Sequence, residues 1–203
     1  MSGCADRWVD RQPDRRVDHH ETYVVRPQDT LYSIAWRHGL DYHDLARWNG
    51  IGPDFRISVG QALKLDPGAT EAHSLQQRPS GGAQLQWLWP TEPIGAPLPV
   101  SGGGILLQGR LGQDVRAASA GRVVYAGTGI RGYGNLIIIK HGENYLSAYA
   151  HNRESLVREG EEIALGQVIG KMGEGSPQKP ALYFEIRRNG KPVDPLRYLP
   201  VTK

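Results

Sequence analysis

PALYFEIRRNG, residues 180–190, alternates Leu182, Phe184 and Ile186 with Tyr183, Glu185 and Arg187 before reaching an Asn-Gly pair. That period of two predicts a half-buried strand, and Asn-Gly is a strong signal for a tight hairpin turn. Strand-like runs of the same kind recur upstream, at 105–108, 121–126, 135–141, 145–150, 162–163 and 168–172. Short Gly-containing turns separate them, so residues 87–203 read as a mainly antiparallel all-β domain. The run Ile137-Ile138-Ile139 suits a central strand buried on both faces.

The 203 residues leave room for a second, smaller unit, and 26 glycines with 14 prolines announce many turns and linkers. From Tyr23 the sequence predicts a strand (YVV), a helix (TLYSIAWRHG), a second helix (DYHDLARWNG) and a closing strand (QALKL). Asp29 and Thr30 supply a natural cap for the first helix, because their side-chain oxygens accept free backbone N–H groups. The expected fold class is therefore α+β: a strand–helix–helix–strand unit at 23–66, then the β-domain.

Residues 1–22 mix both charge signs without apolar periodicity and read as a tether. Residues 67–86 are rich in Pro, Gly, Ser, Gln and Ala and read as a linker. The adjacent His19 and His20 have no third metal ligand nearby. No apolar run is long enough for a transmembrane helix. A net charge of +3 is too weak to argue for nucleic acid, although a pI near 9.0 suits an anionic envelope. The single cysteine, Cys4, excludes an internal disulfide.

Residues 23–66 resemble a LysM domain, through the Asp-Thr-Leu turn, the Ile-Ala helix, the Leu-x-x-x-Asn-Gly end and the Val-Gly-Gln-x-Leu strand. Gln28 stands where that family usually has glycine, so the turn is expected to find another conformation. The resemblance implies binding of N-acetylglucosamine-containing glycan, peptidoglycan in an envelope protein. The implied groove has Asp29, Thr30 and Leu31 on one side and Ile51, Pro53, Asp54, Phe55 and Ile57 on the other.

Residues 87–200 resemble the LytM, or lysostaphin-type, zinc metallopeptidase domain, through AGRVVYAGTGIRGYGNLIIIKHGENYLSAYAHN, LVREGEEIALGQVIGKMGEG and LYFEIRRNGKPVDPLRYL. Within it the chain is most similar to the NlpD and EnvC type of murein hydrolase activators. Active relatives bind zinc through His-x-x-x-Asp and the second His of His-x-His. The matching positions here are Gly102, Leu106 and Tyr183, none of them a credible zinc ligand at neutral pH. The resemblance thus implies no metal, no other cofactor and no catalytic residue. His151 matches an assisting histidine; its partner position is Ala181. His141, ending the isoleucine strand, reads as a structural residue.

Three functions follow from these features. An active endopeptidase conflicts with the ligand positions, and a passive wall-binding protein needs only LysM. The third, an activator of a cell-wall N-acetylmuramoyl-L-alanine amidase in cell separation, is what the family resemblance favours. Its partner-binding groove would comprise Tyr133, Tyr149, His151, Tyr183 and Arg187, since Tyr and Arg are enriched at binding hot spots. On the alternation of the strand, Tyr183 and Arg187 share its non-core face, and replacing either by alanine is expected to leave folding intact. The MSGC start resembles a lipoprotein box with Cys4 as the lipidated residue. It implies a periplasmic protein anchored to the outer membrane.

Overall fold

In a computed structural model of the chain, residues 22–66, 85–175 and 179–201 are described. Cys4, His19 and His20, together with nearly all of the expected tether and linker, lie outside these residues.

The N-terminal unit runs β1 (Thr22–Val24), α1 (Leu31–His38), α2 (Tyr42–Trp48) and β2 (Ala62–Lys64), with β1 and β2 paired antiparallel. Thr30, rather than Asp29, caps α1. Its hydroxyl accepts from the Ser33 N–H at 3.1 Å, and the Thr30 N–H donates to the Ser33 hydroxyl at 3.0 Å, a reciprocal box. Gly39 stops the helix in the left-handed region at φ 68°, where a side chain would be strained. Gln28 also takes a left-handed φ, 69°. The turn therefore keeps the conformation that glycine favours and bears a strain of about 1–2 kcal/mol, instead of finding another path.

The C-terminal domain comprises β3 (Leu98–Pro99), β4 (Ile105–Gln108), β5 (Asp114–Arg116), β6 (Gly121–Gly127), β7 (Asn135–His141), β8 (Tyr145–Ser155), β9 (Glu162–Ile163), β10 (Val168–Met172), β11 (Ala181–Arg188) and β12 (Lys191–Val193), then a 3-10 turn, Pro195–Arg197. The strands join in the order β3-β4-β11-β8-β7-β6-β9, while β10 pairs with β5 and β8, and β12 with β11. Every ladder of this domain is antiparallel among the described residues. The α+β class and the strand-rich second domain thus follow the sequence reading. Strand β7 lies between β6 and β8, and Ile137, Ile138 and Ile139 are all fully buried.

Alternation sorts the side chains of β7 and β11 into two cores. Ile137 and Ile139 join Leu182, Phe184, Ile186 and Tyr149 in the inner core, closed by Ile169 and Met172 of β10. Leu136, Ile138 and Tyr183 face the other way, with Val124, Ala148 and Ala150. That second face is not solvated. It packs against Leu31, Ile34, Trp36, Tyr42 and Leu45 of the helical unit, and the two units share one continuous apolar core. Strand β11 is consequently buried on both faces, not half-buried as its pattern predicts.

His141 is enclosed in the β-domain. Its Nδ1–H donates to the Ala120 carbonyl at 2.7 Å, and Nε2 accepts from the Ser147 hydroxyl at 2.6 Å. The Ser147 hydroxyl lies 2.9 Å from that of Tyr149, which accepts the Ala118 N–H at 2.8 Å. This polar chain within an apolar core satisfies its members in turn, as buried polar groups require. Burial holds the His141 imidazole down to about 4 from its ordinary 6.5.

Candidate functional site

Strand β11 has β8 on one side and β4 with β12 on the other. This places Tyr183 opposite Leu106 in one register and opposite Ala150 in the other. Leu106 and Tyr183, two of the three positions expected from the resemblance to match zinc ligands, are therefore cross-strand neighbours. The third, Gly102, sits exposed in the β3–β4 turn at φ 103°. Beside it the chain runs close under the tyrosine: a Cβ on Gly104 would lie 2.5 Å from the Tyr183 ring.

The Tyr183 hydroxyl donates to Glu185 Oε2 at 2.5 Å, and Glu185 Oε1 accepts from Arg187 Nε at 2.7 Å. Glu185 is 1% exposed and Arg187 7%. Burial raises the Tyr183 phenol well above its ordinary pKa, with the Glu185 charge and hydrogen bond adding to it. Tyr183 is thus held protonated as a hydrogen-bond donor. The Tyr133 ring meets Tyr183 edge-on at 5.6 Å, and the His151 ring lies 6.4 Å away. Burial lowers the His151 pKa, so its ring is neutral at pH 7. Among the described residues no group of three or more His, Cys, Asp or Glu is placed to hold a metal ion.

Tyr133, His151, Tyr183 and Arg187 come together on one face, but Tyr149 does not join them. It is fully buried in the inner core, packed on Phe184 with ring centroids 5.4 Å apart, and its hydroxyl is engaged by the Ala118 N–H. Parity along a regular strand would put Tyr149 and His151 on one side. His151 has φ 62°, which breaks the alternation and turns the two side chains to opposite faces.

The shared face is covered by the helical unit. Arg187 Nη1 donates to the Trp36 carbonyl at 2.8 Å, and its guanidinium lies 3.6 Å from the centre of the Trp36 ring. Tyr42 donates to the Glu143 carbonyl at 2.9 Å and Thr30 to the Val124 carbonyl at 3.2 Å. Lys140 Nζ sits 5.6 Å over the Tyr42 ring and 5.7 Å over Phe55. The sequence contained the components of this interface, Trp36 and Glu185 among them, but no local pattern pairs residues 151 positions apart.

The expected glycan groove is only partly open. Leu31 is fully buried in the core. Asp29 accepts hydrogen bonds from Tyr23 at 2.6 Å, the Arg26 N–H at 2.9 Å and Arg37 at 3.0 Å. These contacts lower its pKa against the desolvation that opposes them. Leu31 is thus a core residue, a correction to its expected place in the groove, whereas Asp29, its carboxylate engaged by Tyr23 and Arg37, still borders the cleft beside Thr30. Pro53 and Asp54 are exposed, while Ile51, Phe55 and Ile57 are partly buried against the shared core. Thr30, Phe55 and Ile57 line a cavity of about 270 Å³, and Arg122, Val124 and Gly160 of the β-domain form its opposite wall.

The comparisons with known proteins agree with this two-part architecture. Residues 23–66 match the LysM domain and residues 101–195 match peptidase family M23. Among solved structures, a peptidase M23 chain from Pseudomonas aeruginosa superposes with a TM-score of 0.52 at 24% identity, over 57% of this chain and 51% of that one. Helicobacter pylori Csd3 gives 0.51 at 27% identity, over 60% of this chain and 36% of its own. Across both domains, the murein hydrolase activator NlpD of Escherichia coli K12 is 36% identical, covering 88% of this chain and 68% of the relative. The uncharacterized lipoprotein YgeR of the same organism is 37% identical over 98% of this chain and 88% of its own length. The lipoprotein NlpD/LppB homolog of Pseudomonas aeruginosa is 42% identical over 88% and 76%. With a LysM domain ahead of an M23 domain and this degree of identity along nearly the whole sequence, the chain belongs to the NlpD/LppB family.

Proposed function

We propose that this chain is a non-catalytic activator of a peptidoglycan hydrolase, specifically an N-acetylmuramoyl-L-alanine amidase, and that LysM holds it on the glycan. The observation that carries this reading is the chemistry of the Tyr183 position. Its hydroxyl is kept protonated and committed to Glu185, opposite Leu106. Glycine, leucine and a protonated phenol at the three ligand positions offer a surface for binding and no set of donors for zinc. The relatives named murein hydrolase activators support the same reading.

Tyr133, His151, Tyr183 and Arg187 are the proposed contact residues, two tyrosines and an arginine being suited to a binding hot spot. The activator needs no chemistry of its own. It has only to bind the active conformation of the amidase more tightly than the inactive one, which shifts the population toward activity. Lipidation at Cys4 and attachment to the outer membrane complete the proposal, and the lipoprotein names of the relatives favour them.

The test is equilibrium binding of the purified full chain to purified N-acetylmuramoyl-L-alanine amidases, one at a time, beside sedimentation with peptidoglycan. Saturable binding to an amidase and to peptidoglycan is the expected result. Peptidoglycan binding with no affinity for any host amidase would leave a passive wall-binding protein instead.

A further inference from the structure

The two binding surfaces of this chain bury one another. The face carrying Tyr183 and Arg187 lies beneath Trp36, and the Thr30–Phe55–Ile57 side of the LysM unit is walled by Arg122, Val124 and Gly160. A protein partner cannot reach Arg187 at 7% exposure while Trp36 is stacked on it. On the LysM side, the wall of Arg122, Val124 and Gly160 narrows the solvent-open cleft beside Thr30, Phe55 and Ile57 to about 270 Å³, below the range of ordinary ligand pockets, which leaves an extended glycan strand too little room along it.

We propose that glycan is the key that opens this arrangement: an N-acetylglucosamine-containing strand displaces the β-domain from the LysM groove, and the displacement uncovers the Tyr183–Arg187 face. The inference rests on the reading that this face engages a hydrolase. It assigns the chain a coupling between wall contact and activation that neither domain has alone. Thermodynamic linkage makes the coupling reciprocal, so a partner on the β-domain also strengthens glycan binding.

Two features make the docked state separable. Docking buries the Trp36 indole N–H with no hydrogen-bond partner among the described residues, a cost that undocking into water removes. The polar contacts that hold the units are few, and several end on backbone carbonyls, those of Val124, Glu143 and Trp36, which water satisfies equally well.

Gly190 allows the coupling to be broken away from both sites. It occupies the β11–β12 turn at φ 72°, and an ideal Cβ there would lie 2.4 Å from the Asp41 N and 2.6 Å from its Cα. Gly190→Ala therefore drives the helical unit off the sheet. Lys140→Glu does so by another route, placing a carboxylate against the faces of Tyr42 and Phe55 and near Glu143, which Lys140 pairs with at 3.8 Å.

The experiment is calorimetric titration of the full chain and both variants with a soluble N-acetylglucosamine oligomer, after thermal melts establish that each is folded. Both variants should bind the oligomer about tenfold more tightly or better, since no docking equilibrium opposes it. In parallel, the oligomer should raise amidase stimulation by the native chain and leave that by the variants, already raised, unchanged. Equal oligomer affinities in native and folded variant chains, or no oligomer binding by any of them, would overturn the coupling. Tighter binding by the variants without stimulation of any amidase would uphold the coupling and sink the activator reading.

Discussion

Arg187→Ala is expected to expel the LysM unit from the sheet. With the guanidinium gone, Glu185 would stay in the docked interior with the Tyr183 hydroxyl as its remaining partner, at 1% exposure. Breaking a buried ion pair in this way costs about 3–5 kcal/mol. Loss of the stack on Trp36, a desolvated cation–π contact, adds about 2 kcal/mol. Couplings between sites usually amount to about 1–3 kcal/mol, so the docked form cannot survive the change, whereas undocking returns Glu185 to water. Each domain is expected to keep its fold. Hydrogen–deuterium exchange follows the event: uptake across residues 31–40 should rise sharply in the variant. The pair Glu185→Gln with Arg187→Met, which leaves no bare charge, should restore protection. Unchanged uptake in Arg187→Ala would refute the role given to this ion pair. The variant also separates two duties of Arg187, because it uncovers the face as Gly190→Ala does but removes a proposed contact. Stimulation should therefore be lost in the first and retained in the second.

Acidification from pH 7 to 4 is expected to remove about 3 kcal/mol from the stability of the β-domain, through His141 alone. The folded imidazole titrates at about 4 and the unfolded one near its ordinary 6.5. Between those values the unfolded chain binds the extra proton, so stability is full above about pH 6.5 and falls as pH drops toward 4. The slope is about 1.4 kcal/mol per pH unit. Asp29 and Asp41, whose pKa values are lowered from 3.8, contribute losses only below about pH 4, so the two windows separate. Urea unfolding at half-unit pH steps should show this slope in the native chain and a clearly shallower one in His141→Gln, where His151, also lowered by burial, still titrates. A native profile that is flat between pH 7 and 5 would contradict the buried, neutral assignment.

The sequence carried much of this fold in local signals. Glycine and Asn-Gly turns mark the strand ends, Thr30 and Gly39 the limits of α1, and three successive isoleucines a strand with no exposed face. What lay beyond it came from contacts between distant residues. Tyr183, Glu185 and Arg187 read as a solvated face because all three are polar or amphipathic. Only the docking of Trp36, some 150 positions upstream, shows that they are an interior set whose charges cancel. Tyr149 failed for a different reason: one positive φ at His151 defeats the parity on which strand faces are assigned. Asp29 borders the groove as the resemblance implies, but the engagement of its carboxylate by Tyr23 and Arg37 was not legible, because the separate segments of a small domain assemble that triad only on folding. That glycine, leucine and tyrosine stand at 102, 106 and 183 is a matter of identity and needs no fold to read. What each side chain now does was not legible, because it depends on neighbours supplied by other strands.

The most direct measurement is release of dye-labelled peptidoglycan fragments by a purified N-acetylmuramoyl-L-alanine amidase, with increasing amounts of the full chain in zinc-containing buffer. The account predicts no release by the chain alone and a saturable rise above the amidase's own rate when both are present, steeper with Gly190→Ala. Release by the chain alone, or an amidase rate that neither the native chain nor Gly190→Ala can raise, would contradict it.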